Sequence, residues 1–97
     1  MPSNEQPAHL RQRRAVRPHL PMRPLWLCKV CAAAWPCPPA RMLLRIEYRA
    51  DRVALSVYMA SQLFDATADL CRLHPNPTPD PQELFARFLA WTAQPDA

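Results

Sequence analysis

Residues 52–73 read RVALSVYMASQLFDATADLCRL, the longest stretch of this chain with a helical rhythm. Leu55, Met59, Leu63, Ala66, Leu70 and Leu73 recur at three- and four-residue steps, which places them on one stripe of an α-helix. Val53, Val57, Ala60 and Phe64 form a second stripe beside the first. Two adjoining apolar stripes predict a helix that packs on more than one neighbour. Asp51 stands where an N-cap belongs, since its carboxylate can accept an N–H that the first turn leaves orphaned.

The flanks extend this reading. On the C-terminal side, HPNPTPDP (74–81) is too rich in Pro for helix. It ends in a start signal: Asp80 as N-cap, Pro81 at the first helical position and Glu83 at the capping-box position. Leu84, Phe85, Phe88, Leu89 and Trp91 then supply a buried face for a helix over about 81–92. On the N-terminal side, Pro39 opens a helix that runs to about residue 50. Met42 or Leu43, Ile46 and Ala50 are its expected inward stripe, with Arg41, Arg45 and Arg49 opposite. The expected fold is all-α: a small three-helix domain over 25–97, with a Cys-rich loop at 25–39 and helices near 39–50, 52–73 and 81–92. No internal repeat is visible.

Composition supports the helical reading. The 97 residues contain 13 Pro and no Gly, where roughly 7% Gly is usual. Without Gly, tight hairpins and left-handed turns are disfavoured, which argues against a β-rich fold. It also removes the glycine loops of dinucleotide- and phosphate-binding folds. A chain this short is marginal by burial alone, and such domains often gain stability from a metal or a partner.

The charge is uneven. Residues 1–24 carry Arg11, Arg13, Arg14, Arg17 and Arg23 against Glu5 alone, while basic and acidic groups balance in residues 25–97. The whole formal charge of +4 therefore lies in the tail. Residues 1–24 are rich in Pro, Arg and Gln and poor in apolar groups, and read as a disordered basic tail. Its clustered Arg suit nucleic acid or another anionic surface, and a solvated tail without a partner is the plainer expectation. Met22 is a second candidate translation start. The tail has no apolar stretch of signal-peptide length, and no segment has the apolar length of a membrane span. A cytoplasmic location is expected, where thiols stay reduced and clustered Cys more often means metal or redox chemistry.

Three of the four cysteines lie in LCKVCAAAWPCPP (27–39). Cys28-x2-Cys31 lets one turn present two thiolates to one ion, and Cys37 can fold back as a third. Zn²⁺ wants four ligands at tetrahedral corners. Cys71-x2-His74 repeats the short spacing, so Cys71 or His74 is the expected fourth ligand, with His19 a weaker option because it lies in the tail. The alternatives are thiols that only pack and an iron–sulfur or thiol-redox site. Cys71 alone reads as a small buried hydrophobe. Asp65 and Asp69, with Glu47, are candidates for acid chemistry or a metal, though acids one turn apart are usually a solvated face. Ser56 and Ser61 lack a His at workable local spacing for nucleophilic chemistry. Trp26, Trp35 and Trp91 are expected as core anchors rather than base-stacking platforms.

PLWLCKVCAAAWPCPPAR, EYRADRVALSVYMASQLFDATADL and ELFARFLAW together resemble a family of small proteins from GC-rich bacteria. Its pattern is Cys-x2-Cys, Trp-Pro-Cys, an acidic-Tyr helix end, an apolar helix and a terminal Arg-Phe-Leu-x-Trp. The resemblance covers roughly residues 24–92. Ala32 stands where the family pattern has Gly. Members carry the label flavin reductase in genomes, so the resemblance implies flavin reduction or a redox accessory role. The residues themselves point to a non-catalytic binding or adaptor module with a zinc knuckle and a protein partner. A DNA-binding regulator using the Arg-rich tail is the third expectation.

Overall fold

The computed structural model describes residues 18–94. Arg11, Arg13, Arg14 and Arg17, and with them most of the expected tail, lie outside the described residues. Two short strands, β1 (Pro21–Met22) and β2 (Leu27–Cys28), are followed by helices α1 (Pro38–Glu47), α2 (Arg52–Leu73) and α3 (Pro81–Phe88), and by a 3₁₀ turn over Ala90–Ala93. The strands pair antiparallel, with Pro21 opposite Cys28 and Met22 opposite Leu27. Leu27 also bridges to Ala34 on its other side. The chain is thus mostly helical, with a small two-stranded element in addition to the expected helices.

The helix signals act as their chemistry requires. Asp51 Oδ1 accepts the N–H of Ala54 at 2.9 Å, and Asp80 Oδ1 accepts that of Gln82 at 2.9 Å. Pro38 occupies the first turn of α1, where its missing N–H costs nothing. Along α2 the first stripe faces inward except at its end: Leu55, Met59, Ala66 and Leu70 are buried, Leu63 packs partly against the core, and Leu73 is exposed. The expected last helix divides at Leu89 into α3 and the 3₁₀ turn. Leu84, Phe88 and Trp91 are buried, while Phe85 is exposed. All three Trp are core residues, and Trp26 meets Phe88 edge-to-face at 5.6 Å.

Two stripes depart from expectation. On α1 the polarity is inverted: Met42, Leu43 and Ile46 are exposed, while Ala40 is buried and Arg41 and Arg45 are half-buried. The reason lies in backbone carbonyls that need donors. Arg41 donates from Nε to the carbonyl of Pro36 at 3.0 Å, and Arg45 donates to the carbonyl of Gln94 at 2.9 Å. On α2 the second stripe finds no neighbour among the described residues: Val53, Val57 and Phe64 are 74%, 65% and 77% exposed.

Residues 18–24 belong to the fold, so the domain begins earlier than residue 25. The anchor is Arg23. Its Nε donates to Asp69 Oδ2 at 2.8 Å and its Nη2 to Asp69 Oδ1 at 3.2 Å. Trp26 Nε1 donates to the same Oδ2 at 2.9 Å. Asp69 is therefore a buried acceptor on α2 that ties down the N-terminal segment, and not part of a solvated acidic face. Asp65 lies 3.9 Å from the same guanidinium.

The Arg23 guanidinium, with the Trp26 N–H, holds the Asp69 carboxyl below the usual carboxylate range. A depressed folded-state value means that its contribution to stability is present above the ordinary carboxylate pKa of about 3.9 and is lost as pH falls through the folded value. Replacing Asp69 by Asn is expected to lower the thermal midpoint at pH 7 by on the order of 5 °C. The acid limb of the stability–pH curve should flatten at the same time. Both are read by thermal melts from pH 2 to 7.

Candidate metal centre

The strands and the start of α1 bring four side chains together. His19, Cys28, Cys31 and Cys37 each offer one ligand atom, and these atoms all lie within 4.8 Å of one another. His19 Nδ1 is 3.2 Å from Cys28 Sγ and 3.3 Å from Cys37 Sγ. A tetrahedron with arms of ~2.3 Å has edges of roughly 3.8 Å, so this donor set fits a four-coordinate ion. Three thiols and one imidazole form a soft, nitrogen- and sulfur-based set that suits zinc or iron in tetrahedral geometry.

Each ligand is positioned by a different local device. His19 lies two residues before the start of β1 and is carried across by the pairing of that strand with β2; Lys29 N–H donates to Leu20 C=O at 2.9 Å beside it. Cys28 ends β2 and opens a tight loop: Cys28 N–H donates to Ala33 C=O at 2.8 Å, and Ala32 N–H to Cys28 C=O at 3.0 Å. Within that loop Val30 N–H points at Cys28 Sγ at 3.4 Å, a contact that favours the thiolate. The loop turns through Ala32 at φ 62°, a left-handed conformation for which Gly is the usual choice. Cys37 is the N-cap residue of α1, where the helix dipole favours negative charge.

The buried thiols differ in their titration. Burial pushes the Cys28 thiol up, but the N–H groups of Cys31 and Val30, with His19 and the Cys31 side chain, outweigh it and bring it down to about 6. Burial, reinforced by Cys28 and Cys31, drives Cys37 up to about 11 against the pull of the Ala40 N–H. Crowded thiols of this kind cannot all ionise without a cation between them. Cys28 and Cys37 are buried, His19 is half-buried and Cys31 is exposed, so the centre opens to solvent on one side.

The expected set is therefore joined in part. Cys28, Cys31 and Cys37 converge, while Cys71 and His74 are not members of the group. His74 is the C-cap residue of α2 and lines a separate cleft of about 330 Å³, with Leu25, Leu70, Glu83, Leu84 and Arg87. Cys71 is half-buried on α2. The weaker option, His19, completes the group because β1 and Arg23 order residues 18–24. Its signal lay in the sequence: Pro18 and Pro21 bracket a His nine residues before Cys28. No family model, curated protein or solved structure matches this chain.

Replacing Ala32 by Gly is expected to raise stability by about 1 kcal/mol, since a left-handed residue with a Cβ costs roughly 1–2 kcal/mol and Gly gives back part of that in chain entropy. Chemical denaturation of the two proteins at equal metal content measures it. An unchanged midpoint would mean that the loop does not hold this φ.

Proposed function

We propose that the chain is a small non-catalytic binding or adaptor module whose His19, Cys28, Cys31 and Cys37 hold one structural Zn²⁺. The observation that carries this reading is the convergence of four zinc-type donors within 4.8 Å in a segment with little other structure. Structural zinc sites are closed by four protein ligands, and this set supplies four, leaving no position for a substrate or water. The ion's role is then mechanical. It fastens the β1–β2 element to the start of α1, in a chain too small to rely on burial alone.

A protein partner is part of this reading, because apolar side chains remain exposed on α1, α2 and α3. Among the described residues no helix is long and apolar enough to cross a membrane. A cytoplasmic location is proposed with the zinc, since reduced thiols are what the site requires.

Protein purified without a metal-binding tag should contain one zinc per chain by elemental analysis. His19→Ala and Cys31→Ser should each lose most of the metal and much of the thermal stability, because zinc-binding energies of about 10 kcal/mol or more are coupled to folding. Cys71→Ser and His74→Ala should retain the metal. A cooperatively folded protein free of metal, or loss of metal in His74→Ala with retention in His19→Ala, would overturn the assignment. The same preparation should not oxidise NAD(P)H with added flavin; turnover at even ~1 s⁻¹, the low end of ordinary enzymes, would favour the reductase reading.

A further inference from the structure

The outer face of α2 is the part of the described fold with the least reason to face water. A solvent-exposed helix face normally carries charge. Here the exposed residues from Val53 to Ala68 are uncharged, and the one acid among their neighbours with a half-exposed side chain, Asp65, lies beside Arg23. The uncharged positions are also in register. Val53, Val57, Ala60, Phe64, Thr67 and Cys71 are spaced 4-3-4-3-4, the 3.5-residue repeat of a seam that meets another helix. Helix α2 is 22 residues long, so this seam runs for about 33 Å.

From this we propose that α2 pairs with α2 of a second copy of the chain, antiparallel, to form a weak homodimer. A second copy is the occupant that the face itself specifies. A two-fold axis between Ala60 and Ser61 places Phe64 of each copy against Val57 of the other, and Val53 against Ala68. The large ring meets smaller groups rather than its own copy. Ala60 and Ser61 at the centre let the helices approach closely. The same register sets the exposed Asp51 of each copy within about one helical turn of the exposed Arg72 of the other, so the ends carry complementary charge.

The area agrees with a weak dimer. Val53, Val57 and Phe64, at 74%, 65% and 77% exposed, with the small residues between them, offer on the order of 500 Å² per copy. Pairing would bury roughly 1,000 Å² in total, just under the range of stable interfaces. Association is thus expected at roughly ten to a few hundred micromolar. The pairing uses no atom of the metal centre and stands whether or not zinc is the ion.

Sedimentation equilibrium of the full chain tests it. The apparent mass should rise from monomer towards dimer across that concentration range. Phe64→Glu should stay monomeric throughout, with helical circular dichroism and metal content unchanged, because Phe64 is not a core residue. In a Cys71→Ser background, Ser61→Cys should form a disulfide-linked dimer under mild oxidation, and Val53→Cys should not. A wild-type monomer at every concentration overturns the proposal, as does a dimer that persists in Phe64→Glu. Cross-linking at Val53→Cys in place of Ser61→Cys overturns the antiparallel pairing.

Discussion

His19, Cys28, Cys31 and Cys37 place four donor atoms within 4.8 Å of one another, and the N-terminal third of the fold is arranged around them. The strands there are two residues each, too short to hold themselves together. What surrounds the four donors is a set of local backbone bonds that aim side chains inward: the Cys28–Ala33 and Ala32–Cys28 bonds of the loop, and the helix start at Cys37. With a cation at the centre, crowded thiols and a half-buried imidazole become mutually compatible. Without one, Cys28 and Cys37 compete for the same negative charge.

A second constraint joins this element to the helices. The chain has many Pro, which carry no backbone N–H, so its loops are short of donors for their carbonyls. Arginines supply further donors. Arg87 on α3 donates to the carbonyls of Trp35 and Trp26, both at 2.6 Å, and so clamps the two sides of the Cys-rich loop. Burial and the neighbouring Arg41 charge lower its pKa, yet it stays a cation because its starting value is so high. Arg45 and Arg52 both donate to the carbonyl of Gln94, which closes the C-terminal turn onto α1 and α2. The Arg content of the described domain is thus largely structural.

Helix α2 was legible to the residue, because Asp51 caps it and Pro75 follows it closely. The three Trp and the Cys28, Cys31 and Cys37 group were legible for the same reason: their chemistry is strong and local. What the sequence hid depends on long-range pairing. Averaging residues 1–24 into one basic segment concealed that residues 18–24 belong to the fold, and with them His19 and Arg23. Asp69 reads as one of two surface acids until Arg23 and Trp26 arrive from more than 40 positions away. Periodicity located the stripes of α1 and α2 but not which of them faces the core. On α1, the need of loop carbonyls for donors outweighed the burial of Met42, Leu43 and Ile46.

The central claim is that one zinc ion sits among three sulfurs and one imidazole nitrogen. X-ray absorption at the zinc edge of the purified protein measures that shell directly. The account predicts three sulfurs at about 2.3 Å and one nitrogen at about 2.0 Å. A shell of four sulfurs would replace His19 by Cys71, and a shell of nitrogen and oxygen alone would remove the cysteines from the site; either result would contradict it.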